Sequence, residues 1–298
     1  MKRALLVVNP FATNVTQEKL ASVQSALQRV ATLEVALTER PRHATEIVTD
    51  AIGRDLDAVV VFSGDGGFNE ALNGLTRDVP IGFLPGGGTS VLARSLGMPH
   101  DAVLAAHRLA ESIEAERMRR ITVGRVNGRR FAFAAGLGLD AEAVRRVDLK
   151  GRSDEGRRPG DFAFAFAVVA ALATKRGHME PAMEVKGMGR AAFAFVANGS
   201  PYTYLRRLPL PIVPSAHFED GLDLVAPMRV RRRSLVPFAV EVLSGHSVGR
   251  SNTLYGHDLD RVEIVCDEPT ALQADGEDLG NVIDAVFEAE RGAVSVFV

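Results

Sequence analysis

The apolar run Ala58-Val59-Val60-Val61-Phe62 leads directly into the turn Ser63-Gly64-Asp65-Gly66-Gly67. The run is short, continuous and rich in β-branched residues, the pattern of a strand buried on both faces. Behind the turn, Phe68, Ala71, Leu72 and Leu75 recur at helical spacing. A buried strand that feeds a helix through glycines lets backbone N–H groups approach an anion, and the helix N-terminus adds partial positive charge. Phosphate is the natural guest of such a turn. Asp65 beside a phosphate calls for a cation as well, and Mg²⁺ brought in with a nucleoside triphosphate accounts for it.

The same alternation extends on both sides. An apolar run over 5–8 stops at Asn9-Pro10, a polar loop covers 11–15, and Leu20, Val23, Leu27 and Val30 mark an amphipathic helix over 16–30 with Thr16 as N-cap. A strand is expected over 33–37, a helix over 44–52 and a fourth strand over 80–85. That last strand opens a second glycine loop, Gly86-Gly87-Gly88-Thr89-Ser90, and a helix follows over 101–116. Strands alternating with helices predict a parallel sheet, with both glycine loops at its carboxyl edge, where ligands bind in open α/β sheets.

Beyond about residue 120 the texture changes. Short, often alternating runs at 121–126, 130–135, 183–186, 192–197, 222–226, 261–266, 284–290 and 293–298 predict an antiparallel β domain, and Asn127-Gly128 reads as a two-residue hairpin turn. The charged stretch 150–160 reads as a mobile loop and 162–176 as a helix, although alternating Phe162, Phe164 and Phe166 leave a strand start open. The expected domains are 1–122 and 123–298.

Composition narrows the classes. Among 298 residues the net charge is −2, which argues against a general nucleic-acid binder. The single cysteine, Cys266, excludes an intramolecular disulfide and a multi-cysteine metal site, and fits a reducing compartment. No apolar segment reaches the roughly 20 residues of a spanning helix, and the N-terminal one is too short for a secretory signal. Seven histidines show no metal-binding pairing; His43, His217 and His257 read as lone surface or loop residues. Neither glycine cluster is followed by Gly-Lys-Ser/Thr, so neither is a Walker loop, and Asn69 stands where a dinucleotide fingerprint needs its third glycine. Gly136-Leu137-Gly138-Leu139-Asp140-Ala141 fits that fingerprint in form but lies in the β-rich half.

The stretch 63–70, with Asn73-Gly74-Leu75, resembles the GGDGT-x-NE-x-x-NGL signature of the diacylglycerol kinase catalytic-domain superfamily. That group includes bacterial diacylglycerol kinases, other soluble lipid kinases and sphingosine kinases, and is more distantly similar to NAD kinases and phosphofructokinases. Asn9-Pro10, Thr38-Glu39, Leu84-Pro85-Gly86-Gly87, Ala93-Arg94-Ser95-Leu96-Gly97, the 136–141 motif, Asp220-Gly221-Leu222 and Asp275-Gly276-Glu277 resemble further family motifs in the right order. The resemblance implies a Rossmann-like, NAD-kinase-like α/β domain, then an antiparallel β sandwich, with the active site in the cleft between them. It also implies ATP and Mg²⁺, and nucleotide contacts from Asn9, Pro10, Thr38, Ser63, Gly64, Asp65, Gly66, Gly67, Asn69, Glu70, Gly87, Gly88 and Thr89. Asp65 would serve Mg²⁺. Asp220, with a main-chain oxygen near Leu222, would hold a structural Mg²⁺.

The acceptor hydroxyl needs a group to take its proton, and a carboxylate in a tight turn suits that role. Asp275 is preferred slightly over Glu277, and the family places its base in this motif; a plain β-turn is the blander alternative. The chain departs from the signature at Ser63 and Gly67, which stand for Gly and Thr. In the second loop Gly88, Ser90 and Val91 replace Thr, Asn and Asp, and Thr89 sits one residue late. The expected activity is transfer of the γ-phosphate of ATP to the hydroxyl of diacylglycerol or a related lipid. NAD kinase activity and a non-catalytic nucleotide- or lipid-binding regulator remain as alternatives. The expected setting is cytoplasmic, peripheral at the inner membrane face, with no nucleic-acid partner and a homodimer left open. The basic runs at 145–158 and 229–233 offer membrane contact at about 1 kcal/mol per charge, or simply solvated faces.

Overall fold

The computed structural model describes residues 2–149, 178–205, 208–210, 212–230 and 251–298. The helix expected over 162–176 and the loop over 150–160 lie outside the described residues. The chain divides into two units, Met1–Ile121 with Gly292–Val298, and Thr122–Arg291. The run 293–298, which its texture groups with the β-rich half, thus packs in the first unit.

The first unit is built on a parallel sheet of β1 (Lys2–Val8), β2 (Ala31–Leu37), β3 (Ala58–Ser63) and β4 (Ile81–Pro85), in the order β4-β3-β1-β2. Every residue of β3 and β4 is buried, while β2 at the edge is largely exposed, with Ala31 its buried residue. A continuous apolar strand is what a sheet covered on both faces demands. Helices α1 (Gln17–Gln28), α2 (His43–Ile52), α3 (Asp65–Gly74), α4 (Val91–Ser95) and α5 (Ala102–Glu114) provide that cover. Thr16 caps α1 through Lys19 N–H, and Asp101 caps α5 through Val103 and Leu104 N–H, as these residue types do at helix starts. Phe68 of α3 meets Phe83 of β4 edge to face at 5.0 Å. Leu5, Leu6, Phe62, Phe68, Leu72 and Leu84 are all fully buried, each worth about 1.5–3 kcal/mol over exposure. Helix α4 is an addition to the sequence reading, which passed from the second glycine loop straight to the helix at 101.

The second unit is antiparallel. Strands β5 (Met118–Val126) and β6 (Arg129–Phe131) form a hairpin through Asn127-Gly128, both at positive φ. Next come β7 (Ala134–Leu137), α6 (Leu139–Leu149), β8 (Met183–Val185), β9 (Gly189–Ala191) and β10 (Ala194–Ala197). They are followed by β11 (Thr203–Leu205), β12 (Leu208–Leu210), β13 (Leu222–Pro227), β14 (Thr253–Leu259), β15 (Arg261–Ala274) and β16 (Glu277–Phe297). The sheet order is β14-β13-β10-β7-β15-β16, with β8 also on β15. Inward residues such as Phe131, Leu137, Val196, Leu224, Ile264, Leu272 and Phe287 form its core. The two strands expected over 284–290 and 293–298 are one strand, β16, whose last turn of pairing sets Val296 beside Ile81 in the first unit.

Candidate active site

In the first unit the strands end level. Val8 pairs with Leu37 and with Phe62, and Ser63 pairs with Pro85. Asn9-Pro10, Thr38, the 63–67 turn and the second glycine loop therefore emerge at one carboxyl edge. The order of the strands reverses between β1 and β3, the switch point at which α/β sheets open a crevice.

The two glycine loops are locked together there. Gly86 N–H donates to Ser63 O at 2.7 Å. A Cβ on Gly87 would fall 2.9 Å from Gly64 Cα, so the backbones approach as only glycines allow. The Asp65 carboxylate accepts the N–H of Val91 at 2.9 Å and of Leu92 at 3.0 Å, the first turn of α4. Asn14 adds two bonds, from its N–H to Gly86 O at 2.8 Å and from Nδ2 to Gly87 O at 2.7 Å. Ser90, at φ +47°, turns its Oγ back to Gly87 at 3.2 Å.

The remaining expected nucleotide residues frame this edge. Asn9 accepts Phe11 N–H through Oδ1, and Pro10 follows it in the same turn. Thr38 is buried and bonds Val8 O through its N–H at 2.8 Å. Buried Asn69 accepts from Asn73 Nδ2 within α3. Glu70 accepts the N–H of Arg42 at 2.9 Å and of Ala44 at 3.2 Å, so its carboxylate caps α2, whose own N-cap residue supplies no side-chain bond. Gly66 and Gly88 are exposed, whereas Gly64, Gly67, Gly87 and Thr89 are half-buried.

In the second unit Asp275-Gly276 is the two-residue turn of the β15–β16 hairpin, with Ala274 opposite Glu277 and φ of +47° and +78°. Positive φ at both central residues is the type I′ pattern, which Asp-Gly favours. The turn is more than a connection, because the Asp275 side chain, 7% exposed, accepts the N–H of Ala132 at 2.5 Å, Phe133 at 3.0 Å and Ala134 at 3.1 Å. Glu277 pairs with Arg129, and Asp278 with Arg145 at 2.8 Å, which holds the Asp278 carboxyl below its usual range.

Asp140 of α6 approaches the same turn. Its Oδ1 accepts from the Tyr202 hydroxyl at 3.0 Å and its Oδ2 from Gln273 Nε2, while Gln273 Oε1 accepts Gly276 N–H at 2.9 Å. Desolvation pushes the Asp140 carboxyl up to about 6 against the pull of those two bonds, and Tyr202 is raised by burial and by Asp140. A carboxyl that titrates near neutrality is common at functional sites. The 136–141 motif flagged Asp140; nothing in the sequence flags Tyr202 or Gln273, whose partners lie 62 and 133 residues away.

Asp220 sits in the turn before β13, its N–H bonded to His217 O at 3.1 Å, and Leu222 begins that strand opposite Leu259. Gly221 N–H donates to Asp258. The neighbouring Asp223 is fully buried and accepts from Ser215 Oγ at 2.6 Å and Asp258 N–H at 3.0 Å. His257, expected to be a lone residue, lies 2.8 Å from Asp223, which raises its pKa; a partner 34 residues away is invisible to local pattern. Among the described residues no three His, Cys, Asp or Glu side chains are grouped to hold a metal.

Comparison with known proteins agrees with this architecture. Residues 3–126 match the diacylglycerol kinase catalytic domain, and residues 134–298 the YegS C-terminal NAD kinase beta sandwich-like domain. The chain is 27% identical over 292 residues to a diacylglycerol kinase of Bacillus subtilis (strain 168), covering 93% of this chain and 90% of that one. In fold it is similar to the crystal structure of a diacylglycerol kinase from Bacillus anthracis str. Sterne, with TM-score 0.71, 19% identity and coverage of 99% and 96%. An NAD kinase from Archaeoglobus fulgidus in complex with ATP is a more distant likeness, at TM-score 0.54, 16% identity and coverage of 99% and 93%. With its two halves matched in order by these two domains, the chain belongs to the diacylglycerol kinase catalytic-domain superfamily of lipid kinases.

Proposed function

We propose that the protein is an ATP- and Mg²⁺-dependent kinase that phosphorylates the hydroxyl of diacylglycerol or a related lipid alcohol. The observation that carries this reading is the pair of glycine loops tied by Asp65 at the carboxyl edge of the parallel sheet. The amides at the start of α3 and of the second loop cradle the nucleotide phosphates. Asp65 receives amides of α4 on both oxygens, and carboxylate oxygen is the donor type Mg²⁺ takes, so Asp65 would hold the ion through water. A bound Mg²⁺ would supply neutralisation of charge on the phosphates. Asp220, in the turn before β13, with the main-chain oxygen of Leu222 at the start of that strand, would hold the second Mg²⁺.

Phosphoryl transfer passes through a loose transition state and asks for an oriented nucleophile more than a strong base. Asp275, held by three amides, suits orientation of the acceptor hydroxyl and receipt of its proton, and Glu277 is the second acid of the turn. The lipid lives in a membrane and ATP in the cytoplasm, which supports a cytoplasmic protein that visits the inner membrane face. No described helix is long and apolar enough to cross a membrane. Asp275→Asn tests the assignment: kcat falls about 10²–10⁴-fold while MgATP binding by calorimetry persists. Turnover at the wild-type rate would remove Asp275 from the reaction.

A further inference from the structure

Gln273 is fully buried, and its amide has two unlike ends. The carbonyl end receives Gly276 N–H at 2.9 Å; the NH₂ end donates to Asp140. In its ionised form Asp140 only accepts, so that form admits only the NH₂ end and thereby aims the carbonyl at the turn. Reversing the amide would set N–H against N–H at Gly276 and oxygen against oxygen at Asp140. Tyr202 steadies Asp140 from the other side, its ring held edge to face on Phe195 at 5.0 Å.

The local sequence is built for this contact. A Cβ on Gly136 would fall 2.3 Å from Asp140 Oδ2, so glycine there makes room for the carboxylate. Gly138 takes φ +86°, which glycine adopts without strain, and its O accepts Glu142 N–H at 2.9 Å, starting the helix that carries Asp140. Both glycines and the acid of the 136–141 motif are thereby accounted for without a nucleotide.

We propose that Asp140 is a positioning residue: through Gln273 it fixes the Gly276 N–H, and with it the Asp275-Gly276-Glu277 turn, without touching the reacting atoms. The inference rests on the reading that this turn serves the acceptor hydroxyl. Reversing the polarity of the contact tests it. Asp140→Asn offers Gln273 an amide that no longer dictates its orientation, and Gln273→Glu sets two carboxylates face to face. The double variant Asp140→Asn/Gln273→Glu restores one donor and one acceptor, with a carboxylate oxygen again facing Gly276.

Hydrogen exchange at the Gly276 amide and lipid kinase kinetics are measured on the full chain. Each single variant is expected to speed Gly276 exchange and to lower kcat on the order of a hundredfold, with KM for ATP unchanged. The double variant is expected to recover both. Gly276 exchange that stays at the wild-type rate in Asp140→Asn would overturn the relay. Protection recovered in the double variant without kcat would also overturn the proposal, because Asp140 would then act directly. Exchange that follows the relay while kcat stays at wild type throughout would instead sink the role of the turn under the proposed function.

Discussion

At the scale of single residues, acids on glycine turns do two kinds of work in this chain. Asp65 and Asp275 both spend their carboxylates on backbone amides, two and three respectively, and so fix loops as well as offering charge. Asp140 differs, because its partners are a neutral hydroxyl and a neutral amide and its carboxyl is pushed up to about 6 by desolvation. With the folded-state value above the ordinary 3.8, the folded chain keeps this proton where the unfolded chain has released it. Its contribution to stability is therefore full below about pH 4 and is lost as pH rises to about 6, a change on the order of 3 kcal/mol. Asp140→Asn is expected to flatten that part of the profile, measured as urea unfolding free energy from pH 4 to 7. An unchanged slope would show that another group titrates. The Asp275-Gly276 turn was legible from the sequence as a turn, since the pair specifies type I′ by itself. Its three amide donors, at residues 132–134, were not.

At the scale of elements, what could be read ahead depended on how far away each cause lay. Helices α1 and α5 start where a local Thr or Asp caps them, and β3 and β4 are continuous apolar runs; all four were visible as pattern. Helix α4 escaped notice because its first amides are received by Asp65, 26 residues upstream. Helix α2 likewise takes its cap from Glu70 of α3. Glu70→Ala is expected to cost about 1 kcal/mol of stability, the value of a lost N-cap, with KM for ATP little changed. A rise in KM without loss of stability would instead support the nucleotide contact that the family resemblance implies for Glu70. Asp65→Ala releases α4 from the glycine turn and is expected to abolish the thermal shift given by MgATP. A retained shift would separate Asp65 from the nucleotide site.

At the scale of the whole molecule, residues 3–126 and 134–298 match two domain families in the expected order, so the fold was legible through an ordered set of motifs, each weak alone. The basic runs are less informative. Among the described residues of these runs, Arg145 pairs with Asp278 and Arg229 with Glu180. Substrate choice is the finest level and the one that a fold also seen in an NAD kinase leaves open. The lipid kinase assignment is tested most directly by γ-labelled ATP offered with Mg²⁺ to the full chain and a panel of diacylglycerol, sphingosine and NAD. Label is expected in the lipid phosphate, lost on chelation of Mg²⁺ and in Asp275→Asn. Label in NAD, or in none of the acceptors, would contradict it.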